Sequence, residues 1–131
     1  MKNKRLLILI IVLTTLLSSC LSVQIYEGKV VVMKKSYDSN LNDSVMVYGK
    51  VLSAIDETAL YGSESRIWVT EKETYSDKYT GEYSIKLLAG EYDLNCLGAH
   101  RDESEILVAN DIVLEKNEKI EINFYLEGVI E

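Results

Sequence analysis

Residues 76–97, which read SDKYTGEYSIKLLAGEYDLNCL, decide the fold of this chain. Apolar side chains recur at every second position on both sides of a short connection, at Tyr83, Ile85 and Leu87 and then at Tyr92, Leu94 and Cys96. Alternate side chains of a β-strand lie on one face, so both runs predict strands that bury one face. Gly81 and Gly90 stand where the backbone turns, because glycine adopts positive φ without a Cβ clash. The stretch predicts a pair of strands joined by a turn.

The same alternation recurs along the chain. Val45, Val47 and Val51 share one face of an early strand, and Ile120, Ile122, Phe124 and Leu126 share one face of the last. No segment after residue 20 has a helical period. The count of about seven to eight short strands predicts an all-β single sandwich, with polar loops at residues 34–44 and 98–105. We expect a core that includes Tyr92, Leu94, Cys96, Ile122 and Phe124.

Three segments resemble carboxypeptidase-regulatory-like domains, which are small transthyretin-like β-sandwiches. Residues 47–51 (VYGKV) match the opening strand, and Leu60-x-Gly62-Ser63 followed by Ile67-x-Val69 matches the next segment. Residues 76–94 are similar to the pattern of Gly-x-Tyr strands that follows. The resemblance covers residues 45–126 and implies a transthyretin-like or immunoglobulin-like sandwich. It also implies an accessory role, since most domains of this family are not catalytic.

Length and charge limit the partners. The 131 residues suit a single domain. The net charge is −7, and without the basic residues at positions 2, 4 and 5 eleven basic residues face twenty-one acidic ones, a net charge of −10. An excess of negative charge repels phosphate backbones, so we expect no nucleic-acid binding.

The first nineteen residues have the pattern of a signal peptide. A basic start (Lys2, Lys4 and Arg5) precedes an apolar stretch over residues 6–17, and small residues follow at positions 18 and 19. About 20 apolar residues are needed to span a bilayer, so the stretch is too short for a stable transmembrane helix. The pattern predicts a signal peptide over residues 1–19.

The four residues Leu17-Ser18-Ser19-Cys20 resemble the lipobox of bacterial lipoproteins. The resemblance implies cleavage before Cys20, acylation of its thiol, and a membrane partner reached through that lipid anchor. Leu21 in place of Asp implies the outer membrane in a Gram-negative host, and a Gram-positive host would carry the protein on the outer face of the plasma membrane. The alternatives are an ordinary secretory signal with a chance cysteine, or an uncleaved anchor.

The mature chain divides at residue 44. Residues 20–44 comprise the lipidated N-terminus, an extra strand or hairpin over residues 22–33, and a loop, and residues 45–131 form the sandwich domain. The loop carries Asp38, Asn40, Asn42 and Asp43 at the spacing of a calcium loop. Glycine is missing from the sixth place and Gly49 occupies the twelfth, where a bidentate glutamate is needed. Turn formation explains these residues without a metal ion.

The sequence predicts no enzyme, cofactor or metal. His100 is the only histidine, and no Gly-x-Ser-x-Gly elbow supplies an activated serine. A catalytic zinc site draws on two or three His or Cys ligands, and Cys96 is predicted to be buried in the core. The transthyretin-like fold includes the hydroxyisourate hydrolases, but that family uses several histidines.

An aromatic surface is the candidate binding site. If Ile67 and Val69 are buried, Trp68 faces outward, with Tyr48 and Tyr125 on neighbouring outward positions. Such rings can stack on sugars or anchor a protein partner. The alternative that we favour from the sequence is that residues 22–33 fold back over this face, because large exposed apolar patches are uncommon on monomers.

The combined pattern predicts a lipid-anchored cell-envelope protein that acts as a non-catalytic binding or scaffolding module. Two alternatives stay open. One is a glycan-binding accessory lipoprotein, which requires an exposed aromatic platform. The other is a lipoprotein subunit of an envelope-spanning secretion machine, which requires a stable membrane partner. The partner is therefore an envelope protein or a glycan.

Overall fold

The computed structural model describes residues 24–59, 63–70, 72–100 and 103–130. These residues contain no α-helix, and no helix among them is long and apolar enough to cross a membrane. One 3₁₀ turn spans Ser39–Leu41, and the strands are β1 (Gln24–Tyr26), β2 (Lys29–Val32), β3 (Ser36–Tyr37), β4 (Ser44–Ser53), β5 (Arg66–Val69), β6 (Lys72–Tyr75), β7 (Glu82–Leu88), β8 (Gly90–His100), β9 (Glu103–Leu114), β10 (Glu118–Leu126) and β11 (Gly128–Ile130).

The strands form two packed sheets. The first has the order β2-β10-β4-β7, with β3 also paired to β10, and the second has the order β6-β5-β8-β9. β1 pairs with β11. All of these pairs are antiparallel except β4 with β10, which run parallel. The predicted all-β sandwich is confirmed, and the predicted strand number is met once the three strands of two or three residues are set aside.

The strand order differs from that of an immunoglobulin domain. Counted from β4, the first, fourth and seventh strands share a sheet, whereas the second, third, fifth and sixth form the other. In an immunoglobulin constant domain the first, second, fourth and fifth strands share a sheet. The chain therefore shares the sandwich architecture of an immunoglobulin domain but not its strand order.

The core lies between the two sheets. Its largest fully buried side chains include Phe124, Ile122, Leu94 and Cys96, as predicted. Tyr92 was predicted to be buried with them, but it is only half-buried against the core. Tyr92 stays in phase with Leu94, since Glu91 and Asp93 on either side of it are exposed. The bulge at this point lies in β9, where three residues span what two span in β8. The Tyr92 hydroxyl instead donates a hydrogen bond to the Leu88 carbonyl, 2.6 Å away.

The two glycines of residues 76–97 differ. Gly81 has a φ of +75°, and a Cβ on it would lie 2.4 Å from the Val51 carbonyl oxygen, so glycine is required there. Gly90 is not among the described residues with positive φ. The prediction that both glycines serve left-handed turns is therefore wrong for Gly90, because Ala89 connects β7 of the first sheet to β8 of the second and Gly90 already begins β8.

The predicted loops contain strands. β8 continues to His100 and β9 begins at Glu103, so residues 98–100 and 103–105 extend the pairing of β8 with β9. Residues 34–44 include β3 and the 3₁₀ turn, where the Asp38 carboxylate accepts a hydrogen bond from the Asn40 N–H at 3.0 Å. β6 has no counterpart among the predicted strands. Main-chain hydrogen bonds sustain these strands without an apolar face, so alternation does not report them.

The parallel pair of β4 and β10 is interrupted beside Gly49. Paired residues are found on either side, but not at Gly49 and Lys50. The side chains of Tyr83 and Asn123 replace the missing main-chain hydrogen bonds. The Tyr83 hydroxyl donates to the Ile122 carbonyl, and the Asn123 side-chain oxygen accepts a hydrogen bond from the Lys50 N–H at 2.9 Å. A Cβ on Gly49 would lie 1.9 Å from the Ile122 oxygen. Gly49 therefore lets Tyr83 reach across β4.

Tyr83→Phe is expected to lower the free energy of unfolding by about 1–3 kcal/mol at pH 7, because the buried Ile122 carbonyl loses its donor. Burial raises the pKa of the Tyr83 hydroxyl above its ordinary value of 10.0. Below pH 10 the phenol keeps its proton in both states. Above pH 10 the unfolded state loses the proton first, which lowers the stability of the wild-type protein by up to about 1.4 kcal/mol per pH unit.

Urea denaturation of both proteins between pH 7 and 11 measures the effect. The difference between wild type and Tyr83→Phe should shrink above pH 10, since the variant lacks this proton. Parallel pH profiles would show that Tyr83 is not sequestered in the core.

Candidate functional site

Trp68 lies on the outer face of the second sheet. Its neighbours in β5, Ile67 and Val69, are buried, while Trp68 itself is half-buried. The register places Trp68 opposite Glu73 on β6 and Asn95 on β8. Directly opposed residues share a face, so these polar residues flank the indole ring on its two sides. The predicted outward position of Trp68 is confirmed.

Arg66 holds the indole ring. Its guanidinium carbon lies 4.7 Å from the centre of the Trp68 ring, and its Nε donates to the Glu73 carboxylate. Arg66 and Trp68 are two residues apart on one strand, so they share the outer face. The ring is therefore stacked under a guanidinium group that Glu73 keeps in place. Arginine and tryptophan in this arrangement are typical of binding hot spots.

Apolar residues extend this surface across β8 and β9. Leu97 lies opposite Arg66 and Ile106 lies opposite Leu97, while Val108 lies opposite Asn95. Ile106 is 60% exposed. The surface formed by Arg66, Trp68, Leu97, Ile106 and Val108 is called the Trp68 face below. It combines an aromatic anchor with the exposed Ile106 and two half-buried aliphatic side chains, which is the composition of a protein interface.

Tyr48 and Tyr125 lie on the other sheet. Both are half-buried on the outer face of the first sheet, in β4 and β10. Trp68 belongs to the second sheet, so the core separates it from the two tyrosines. The prediction that the three rings occupy neighbouring outward positions is wrong. Alternation gives the face of a strand, but it does not give the sheet to which the strand belongs.

Residues 22–33 do not cover the Trp68 face where the structure describes them. β2 pairs with β10 at the edge of the first sheet, with Val31 opposite Asn123 and Lys29 opposite Tyr125. The Lys29 ammonium lies 4.9 Å from the Tyr125 ring centre. The expectation that this segment folds back over Trp68 is wrong, because its main chain satisfies its hydrogen bonds by extending a sheet.

Tyr48 lines a second candidate site, an open groove of about 660 Å³ where the edge strands β6 and β7 meet. The groove is lined mainly by polar side chains of both sheets, among them Tyr48, Lys50, Glu64, Tyr75, Asp77, Glu82, Ser84 and Glu121. This surface is called the β6–β7 groove below. Sequence patterns do not indicate it, because it forms between strands that belong to different sheets.

The 76–81 turn forms one border of the β6–β7 groove. The Asp77 carboxylate accepts hydrogen bonds from the main-chain N–H groups of Thr80 and Tyr79, at 2.9 and 2.8 Å. These hydrogen bonds hold the pKa of Asp77 below its ordinary value, with the bond from Thr80 as the largest cause. Asp77 therefore shapes the turn as a carboxylate.

The residues considered for catalysis and metal binding do not form a cluster where they are described. No group of three or more His, Cys, Asp or Glu that could hold a metal ion occurs in the described ranges. His100 ends β8, where it pairs with Glu103, and Cys96 is fully buried. The predicted signal peptide, Cys20 and Leu21 lie outside the described residues, and so does the Leu60-x-Gly62 part of the family pattern.

Comparison with protein families, with curated proteins and with solved structures finds no match to this chain. A function therefore has to be inferred from the chain's own surfaces. Among the residues that the sequence singled out, Trp68 has neighbours that the sequence did not indicate. These are Arg66, Glu73 and Asn95. The one available signal was the position of Arg66 two residues before Trp68.

Proposed function

We propose that this protein is a lipid-anchored cell-envelope protein whose sandwich is a non-catalytic module that binds an envelope protein through the Trp68 face. The observation that carries the proposal is the Arg66–Trp68 stack beside the exposed Ile106. An exposed apolar patch with an aromatic and an arginine anchor is typical of an interaction surface.

The position of the anchor supports this use of the Trp68 face. Three residues lie between Cys20 and Gln24, and the four residue steps from one to the other span at most about 14 Å. Gln24 begins β1, which together with β11 continues the pairing of β2 with β10. A lipid on Cys20 would therefore hold the protein to the membrane through the end of the first sheet. The Trp68 face belongs to the opposite sheet and would stay accessible to a partner.

The segments that carry the family resemblance are strands of the sandwich. The segments that resemble carboxypeptidase-regulatory-like domains form β4, β5, β7 and the start of β8 where they are described. Residues of all four strands contribute to one core. We infer a domain of this transthyretin-like type, and the accessory role of most such domains agrees with a binding function.

The proposal favours a protein partner over a glycan at the Trp68 face. A sugar platform would need several exposed rings side by side, and Trp68 is separated from Tyr48 and Tyr125 by the core. Aliphatic side chains such as Leu97 and Ile106 suit a dry protein interface better than a polyol. A lipoprotein subunit of a secretion machine is one form that such a partnership could take.

Trp68→Ala is expected to weaken retention of the partner by about 30-fold, which corresponds to the 2 kcal/mol typical of a lost aromatic anchor. Equally expressed wild-type and variant proteins would be compared by affinity capture from native membranes, with circular dichroism as the folding check. Tyr125→Ala on the opposite sheet and His100→Ala serve as controls and should retain the partner.

Loss of the partner or of the cellular phenotype in a folded His100→Ala protein, with Trp68→Ala unaffected, would overturn the proposal. That result would indicate an active site near the β8–β9 hairpin instead of a binding face.

A further inference from the structure

We propose that the β6–β7 groove binds a short saccharide that carries no acidic groups. This site goes beyond the proposed function, since it lies on another part of the sandwich and takes another class of ligand. The volume of about 660 Å³ is within the range of small-molecule sites. Four features of the groove select the ligand: its aromatic rings, a held carboxylate, a strand edge and its charge.

Three tyrosines line the groove, of which Tyr83 is buried in the core and the other two, from different sheets, are accessible. Tyr48 comes from β4, and Tyr75 comes from β6 at the edge of the second sheet. Tyr48 lies opposite Ser84 on β7, whose small side chain leaves space beside the ring. A phenol ring offers an apolar face to the C–H groups of a sugar and a hydroxyl to its oxygens. Tyr75 is 52% exposed, so its side chain is accessible to a ligand.

The Glu121 carboxylate is held in position. The Asn123 amide donates to Glu121 Oε2 at 3.1 Å, while the Asn123 oxygen accepts the Lys50 N–H at 2.9 Å. This chain of hydrogen bonds exists because the ladder between β4 and β10 is interrupted beside Gly49. A carboxylate with one oxygen fixed by an amide is preorganised to accept hydroxyl hydrogen bonds, which lowers the entropy cost of binding a polyol.

The edge of β7 favours a small ligand over an extended peptide. Its Glu82 carbonyl accepts the Asp77 N–H at 2.8 Å, and its Lys86 carbonyl accepts the Lys72 ammonium at 2.6 Å. The two-residue period puts the main-chain groups of Ser84 on this same edge, inside the groove. A peptide that added a strand here would have to displace both bonds. A saccharide could use the Ser84 groups alone.

The charge of the groove determines which ligand charge it accepts. Glu64, Asp77, Glu82 and Glu121 line it, and Lys50 is the one basic residue among the lining residues described. Four carboxylates around an open groove repel an anionic ligand such as a uronic acid or a sugar phosphate. Neutral sugars and amino sugars remain as the ligand class.

The test uses the mature acylated protein in lipid nanodiscs, which contain no sugar detergent. An array of neutral, amino and acidic oligosaccharides identifies a probe, and calorimetry then measures its affinity. We expect binding of a neutral or amino trisaccharide with a Kd below about 1 mM and none of the galacturonic acid trisaccharide. Tyr48→Ala and Glu121→Gln should each weaken binding at least 10-fold, while Trp68→Ala should change it less than 2-fold.

Each of three results would overturn this site: the protein binds no neutral or amino sugar on the array, it binds the acidic trisaccharide as tightly as the neutral one, or it binds a lysine-rich peptide and no sugar. If Tyr48→Ala fails to fold, Tyr75→Ala takes its place, because Tyr75 is largely exposed. Sugar binding that Trp68→Ala abolishes and Glu121→Gln leaves intact would place the site on the Trp68 face. Failure of partner capture leaves these outcomes unaffected, so the two proposals are tested separately.

Discussion

Truncating Phe124 to alanine is expected to lower the free energy of unfolding by about 3–5 kcal/mol, most or all of the stability of a small domain. Phe124 is fully buried between the sheets, and its ring centre lies 6.0 Å from that of Tyr83. Alanine would leave a cavity that the surrounding residues of both sheets cannot fill without moving.

Urea denaturation of a soluble form beginning at Gln24 measures this loss. Tyr125→Ala is the matched control, since Tyr125 is the next residue and lies half-buried on the outer face, near Lys29. We expect the control to lose about 1 kcal/mol. A loss under about 1 kcal/mol for Phe124→Ala would contradict the assigned face of β10.

Cys20→Ala is expected to abolish acylation of the protein. In bacterial lipoproteins with this sequence pattern, the cysteine thiol is the group that is acylated. Each buried methylene contributes about 0.8 kcal/mol of membrane affinity, so two or more acyl chains make the anchor close to permanent. Without the thiol, incorporation of a fatty-acid label per molecule should fall to background, and processing should be disturbed.

Metabolic labelling with a clickable fatty acid gives the answer directly. Cys96→Ala is the control, because Cys96 is buried in the core and should take no lipid. Label at the wild-type level in Cys20→Ala, or loss of label in Cys96→Ala with equal protein, would show that the lipoprotein proposal is wrong.

The faces of the main strands could be predicted from the sequence, since burial imposes a two-residue period. Leu94, Ile122 and Phe124 follow that period and are buried. The period does not give the depth of burial, and it does not report edge strands: Tyr92 is in phase but only half-buried against the core, and the edge strand β6 has no apolar face. Both depend on the neighbouring strands, which a single strand's sequence does not reveal.

The sequence predicts the outward position of Trp68 but not the residues that surround it. Trp68 lies between two buried positions, so its outward direction follows from β5 alone. Its separation from Tyr48 and Tyr125 depends on the sheet order. Apart from Arg66, the rest of the Trp68 face comes from β8 and β9, far along the chain. The β6–β7 groove requires the same long-range information, because it joins the edges of two sheets.

Photocrosslinking in intact cells tests the binding function of the Trp68 face most directly. A photoreactive amino acid at position 108 lies on the Trp68 face, and the same residue at position 86 lies on the outer face of the first sheet. We predict one discrete crosslinked envelope protein from position 108, lost when Trp68→Ala is added, and none from position 86. Absence of a crosslink at position 108, or the same product from both positions, would contradict a binding function for this face.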